Sequence, residues 1–205
     1  MTTEQSLTVL ASMYCACMQE VKYRLKALRS ALDENQENQS SFIQAEFLAI
    51  NFRKILELIA FATLSANKEL YAKAYCAFAE HWNAKKLMNN LESLNPAFYP
   101  RPVISIQDKE GRVINLENMP DGFLGKDDFI KLYDKSSQFL HVSNPFGDPK
   151  WSEESDVPIE TWVDLIWQLL KIHLVEFVDR GGIWLIDMGD LQEGDVVGYI
   201  VAENG

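Results

Sequence analysis

From about Ser41 to Asn67 the chain carries Phe42, Phe47, Leu48, Ile50, Phe52, Ile55, Leu56, Leu58, Ile59 and Phe61. At helical spacing these residues fall on nearly every side, and a helix that is apolar all round must be covered by its neighbours. This segment therefore predicts the centre of a helical bundle. Its longest apolar stretch, Ile55 to Ala66, is interrupted by Glu57 and is well short of the ~20 residues a membrane span requires, so no membrane association is expected.

Other amphipathic segments are placed around that centre. Leu7, Leu10, Tyr14, Cys17, Val21, Leu25 and Leu28 recur every three or four residues, which predicts a first helix from Ser6 to about Leu32. Polar residues 33–39 form a turn, after which Ser40 or Ser41 offers a capping oxygen to the central helix. A third helix is expected from Lys68 to Leu94, stopped by Asn95-Pro96. Val103–Ile106 and Arg112–Leu116 alternate about Gly111 as a β-hairpin. Asp127 is the expected cap of a fourth helix that runs to Val142 and closes at Asn144-Pro145. Pro158 opens a fifth, with Trp162, Leu165, Ile166, Leu169, Leu170, Leu174 and Phe177 on its apolar face before Gly181-Gly182. Ile183–Ile186 and Val196–Val201 form a second hairpin.

The expected fold is mainly α, an antiparallel bundle of about five helices with two β-hairpins. It is read as one domain over 1–205: a bundle over 6–180 with a hairpin inserted at about 103–116, and a C-terminal hairpin over 181–205. A chain of 205 residues with 47% apolar content can bury one sizeable core. Neither a repeat nor a low-complexity tract interrupts it.

Charge narrows the function classes. The formal net charge is −11, unfavourable for a sequence-independent grip on phosphate backbones. Residues 148–205 hold thirteen acids against Lys150, Lys171 and Arg180, whereas residues 1–147 are nearly balanced. An acidic C-terminal surface suits a basic protein partner or serves solubility. Cys15, Cys17 and Cys76 form no CxxC pair, which fits reduced thiols, and the N-terminal residues lack a signal peptide's pattern, so a cytoplasmic location is expected. The sequence has no phosphate-cradling glycine loop, no zinc or calcium motif and no Gly-x-Ser-x-Gly elbow, so neither cofactor nor metal is expected.

Two polar stripes stand out. Glu46, Arg53 and Glu57 are spaced seven and four apart and share one side of the central helix, either as an ion-paired edge or as a group that meets something bound. Tyr133, Ser137 and His141 are spaced four apart on the fourth helix. His141 near that helix's C-terminus is placed to cap it or to act as a general acid or base, and Tyr133 reads as a core residue or as part of the same stripe. His81 and His173 have no metal-ligand partner at suitable spacing. Trp151, Trp162, Trp167 and Trp184 lie in the acidic part, where core or partner contact is the better reading than base stacking.

The central helix Glu46-Phe47-Leu48-Ala49-Ile50-Asn51-Phe52-Arg53-Lys54-Ile55-Leu56-Glu57, with a later helix ending Phe139-Leu140-His141-Val142-Ser143-Asn144-Pro145-Phe146, resembles the HEPN superfamily over about residues 6–180. The resemblance implies an antiparallel helical bundle, often a metal-independent ribonuclease in toxin and defence systems, and a homodimer. That family's signature sets Arg and His four to six residues apart on one helix, whereas Arg53 and His141 lie on separate helices.

Two functions follow as expectations. One is a protein-binding module, part of a defence or toxin-neutralising assembly, with a protein partner or a second copy bound. The other is RNA cleavage, with His141 as general acid or base, Arg53 stabilising charge on the phosphate and Glu46 or Glu57 orienting Arg53. The missing signature and the acidic charge favour the module.

Overall fold

A computed structural model describes residues 3–33, 42–75, 83–107, 109–110, 113–140, 157–178 and 182–201. Helix α1 (Thr3–Asp33) lies against α2 (Phe42–Ala66) and buries Leu10, Tyr14, Val21, Leu25 and Leu28 of the expected stripe together with Met18, while Cys17 is half-buried. Helix α2 is central, packing on α1, α3 (Lys68–Ala74), α4 (Ala84–Leu94) and α5 (Lys126–Phe139). Its cover is incomplete, because Ile43, Phe47 and Ile50 remain exposed.

The expected third helix is two helices. Tyr75, at the end of α3, is extended, and α4 starts afresh where the Asn83 side chain accepts the Lys86 amide at 2.9 Å. Asparagine competes with helical continuation by capping the turn that follows it. Asn95 closes α4 in an extended conformation, as the following proline requires. Helix α5 begins at Lys126 with Gly125 at its cap position, so Asp127 lies in its first turn instead of capping it.

The larger correction concerns the sheet. Helix α6 (Ile159–Leu170) stops ten residues early, and the chain continues as β3 (Ile172–Phe177). Leu174 and Phe177 fit a helical stripe continued from Ile166 and Leu170, but the segment also alternates, burying His173, Val175 and Phe177. Pairing with β4 (Gly182–Asp187) decides between the two periods, a tertiary effect that local spacing does not contain. Strand β1 (Arg101–Gln107) starts early enough to pair both β2 (Val113–Asn118) and β3, the latter through Arg101 with Leu174 and Pro102 with His173. With β5 (Val197–Val201) beside β4, the described strands form one antiparallel sheet in the order β2-β1-β3-β4-β5. The expected bundle of about five helices with two β-hairpins is therefore replaced by six helices and a five-stranded sheet among the described residues.

The inward face of the sheet, with Trp184 and Ile186 beside the inward residues of β3, joins the helices' buried side chains in one apolar cluster. Gly198 lets α1 and β5 approach closely: a Cβ there would lie 3.2 Å from Ile186 Cδ1 and 3.3 Å from Cys15 Sγ.

Candidate functional site

The polar stripes of α2 and α5 meet. Arg53 Nε donates to Glu57 Oε1 at 2.8 Å and Nη1 donates to the Ser137 hydroxyl, which itself donates to the Tyr133 carbonyl at 2.7 Å. The guanidinium carbon lies 3.9 Å from the centre of the Tyr133 ring, a cation–π contact. The i, i+4 spacing of each helix thus sets a carboxylate, a guanidinium, a hydroxyl and an aromatic face together. Burial raises the Tyr133 phenol above its ordinary pKa, opposed by the Arg53 charge and the Ala84 amide, and among the described residues no well-formed hydrogen bond meets its oxygen.

Arg53 and Glu57 keep only 25% and 29% of their side-chain surface exposed, and two of the guanidinium's edges are occupied by its neighbours. The chemistry of this cluster is that of a clamp between α2 and α5. Glu46, exposed two turns earlier, has no hydrogen bond or ion pair among the described residues. His141 lies outside the described residues, as do Asn144-Pro145, Cys76, His81, Trp82 and Trp151. The structure thus brings Arg53, Glu57, Tyr133 and Ser137 together and leaves Glu46 apart.

His173 is fully buried in β3. Its Nδ1 lies 2.9 Å from the Leu170 carbonyl, which assigns the proton to that nitrogen, so Nε2 accepts from the Tyr14 hydroxyl at 2.8 Å. Burial lowers the imidazole from 6.5 to about 4, against the Leu170 carbonyl, and pushes the Tyr14 phenol well above its ordinary value. Both groups are neutral at physiological pH, and they fasten α1 to the α6–β3 corner. Burial also pushes Cys17 up to about 11, with the Glu20 carboxylate acting in the same direction, and raises Cys15, so neither thiol is an activated nucleophile. No cluster of three potential metal ligands occurs among the described residues, and none of their helices is long and apolar enough to cross a membrane.

A surface that the sequence reading missed lies on the outward side of the sheet. Residues paired across antiparallel strands point to the same face. The register therefore makes three outward rows: Ile172 with Asp187 and Val197, Leu174 with Leu185 and Tyr199, and Glu176 with Ile183 and Val201. All nine side chains are exposed or half-buried, and seven are apolar. A solvated sheet face ordinarily carries polar residues. The turn through Pro96 and Tyr99 overlies its β3 side, leaving a hollow of about 180 Å³ lined also by Arg101, Lys126, Glu176 and Ile183. Toward β5 the face opens, with Val197 42% and Tyr199 52% exposed.

The loop from Met188 to Val196 borders this end. Lys22, only 3% exposed, donates to the carbonyls of Met188 and Glu193 at 2.7 Å and of Gly194 at 2.9 Å. Lys26 donates to the Gln192 carbonyl at 3.1 Å, and the Val196 amide donates to Gln19 at 2.8 Å. Gly189 and Gly194 supply the positive φ the turns need, and Asp187 and Asp190 accept amides two residues on. Asp190, Glu193 and Asp195 remain exposed, and among the described residues no Lys or Arg forms an ion pair with them. The one legible signal for this anchor was Lys22 itself, a cation inside the apolar stripe of α1.

No family model, curated protein or solved structure matches this chain.

Proposed function

We propose that this protein is a non-catalytic binding module whose partner, a protein bearing basic residues beside apolar ones, docks on the outward sheet face at β4 and β5. The observation that carries the reading is the apolar ladder ending at Val197, Tyr199 and Val201, bordered by the exposed carboxylates of the β4–β5 loop. An apolar face with a charged border is the usual make-up of a protein recognition surface. Complementarity to the acids sets the partner's sign.

A labelled peptide alternating lysine and valine provides the test. Binding is expected at low salt, with affinity falling about tenfold when salt screens the loop. Asp190→Asn with Glu193→Gln and Asp195→Asn should reduce the salt dependence, and Tyr199→Ser should weaken binding in all buffers. A glutamate–valine peptide that binds equally well, or indifference to both sets of substitutions, overturns the reading.

The clamp role of Arg53 gives a second expected result. Arg53→Ala should lower stability by about 1–2 kcal/mol, because it removes a half-buried charge-assisted hydrogen-bond set between two helices. Neither wild type nor variant should cleave labelled RNA above background. RNA cleavage by wild type that is lost in Arg53→Ala and His141→Ala would replace the module with the ribonuclease reading.

A further inference from the structure

We infer that β5 is an acceptor strand: an extended, lysine- or arginine-bearing segment of the partner adds to it as a sixth strand. This rests on the binding-module reading and specifies its mode. Among the described residues β5 is at the edge of the sheet, and no backbone hydrogen bond from them reaches it on the side away from β4. Its outward amides and carbonyls form a template for another strand.

The two edges of the sheet differ in how they are protected. β2 carries Asn115, Glu117 and Asn118, and its register with β1 is broken at Ile106 and Gln107. Such polar residues and irregularities discourage pairing by a foreign strand. β5 reads Val-Gly-Tyr-Ile-Val, without charge or proline, and pairs with β4 through five consecutive residues without a break. Lys22, Lys26 and Gln19 hold the loop that leads into it, so the edge is set before a partner arrives, which lowers the ordering cost of binding.

A strand laid along β5 has its side chains fixed by the sheet's alternation. Those on the outward face extend the rows ending at Val197, Tyr199 and Val201 and cover their open side, while main-chain hydrogen bonds supply sequence-tolerant affinity. Lys or Arg on such a segment meets Asp190, Glu193 and Asp195. A second copy of the chain would bring the same acidic loop, which makes a basic partner the better match.

The test uses the full chain and an alternating lysine–valine peptide of about seven residues, near the length of an ordinary strand. Two further peptides carry N-methyl groups, one on every lysine amide and one on every valine amide, so that each loses the donors of one edge. Strand addition uses one edge of the peptide. It therefore predicts that one methylated peptide binds like the parent while the other weakens at least about tenfold, equivalent to roughly 1.4 kcal/mol. Amide exchange across residues 197–201 should slow with the parent and the tolerated peptide only.

If both methylated peptides bind like the parent and keep its salt dependence, strand addition fails and the module reading stands. If no peptide binds at low salt, both fail. A concentration-dependent dimer that itself protects the β5 amides would assign the edge to a second copy and overturn the inference.

Discussion

Lys22→Met is expected to lower the unfolding free energy by about 3 kcal/mol, because a charged donor contributes roughly 1.5–3 kcal/mol per hydrogen bond and the three bonds are not independent. Methionine keeps most of the stem's volume, so the loss isolates the ammonium and its acceptors at Met188, Glu193 and Gly194. Glu193 and Gly194 are exposed and regain water, which keeps the effect below three full bonds. Amide exchange should quicken through 189–196 more than elsewhere. Lys22→Arg is not expected to rescue it, since a planar guanidinium does not reproduce a compact ammonium gathering three carbonyls. Urea unfolding with a shifted midpoint and an unchanged slope is the measurement, and an unmoved midpoint would remove Lys22 as the loop's anchor.

Acid should destabilise the fold through His173. Folded, the imidazole takes a proton only near pH 4, whereas in the unfolded chain it does so near its ordinary 6.5. Between those values the unfolded state holds more protons, so this contribution to stability is complete above about 6.5 and is lost as pH falls toward 4. At about 1.4 kcal/mol per pH unit the loss reaches about 3 kcal/mol. Unfolding midpoints measured across this window for wild type and for Tyr14→Phe/His173→Leu isolate the effect. Replacing both side chains strands neither the phenol nor the imidazole but removes the donor to the Leu170 carbonyl, so the double variant should fold with lower stability and a flatter profile. Profiles that run parallel would show that the buried imidazole is not the group responsible.

Much of the helical framework was legible, and the failures have physical causes. The stripe from Leu10 to Leu28 specifies its own burial, because three-and-four spacing fixes a face without reference to partners. Helix α2, apolar on nearly every side, announces its central place but not that Ile43, Phe47 and Ile50 stay open. The run from Ile172 to Phe177 satisfies two periods at once, and only β4 lying alongside selects the strand. That single ambiguity hid the joined sheet, and with it the outward rows, since a row exists only once its strands are in register. The start of α4 turns on Asn83, whose capping preference was present in the sequence but overshadowed by the surrounding apolar period.

The candidate site was legible to a similar degree. Spacing of four placed Arg53 with Glu57, and Tyr133 with Ser137, but the packing of α2 against α5 determined that these four meet and that Glu46 stands apart. His173 looked like an isolated imidazole in an apolar helix. Its partner is Tyr14, 159 positions away, and no local pattern carries such a pairing.

The ammonium bonds of α1 span 166 to 172 positions of chain. During synthesis α1 therefore emerges long before residues 188–194, and its ammonium has no protein acceptor until they follow. Closure between such distant segments comes late, after the intervening helices have begun to gather. A nascent chain halted before residue 188 lacks all three acceptors, so the ammonium stays in water and the apolar stripe of α1 beside it stays open.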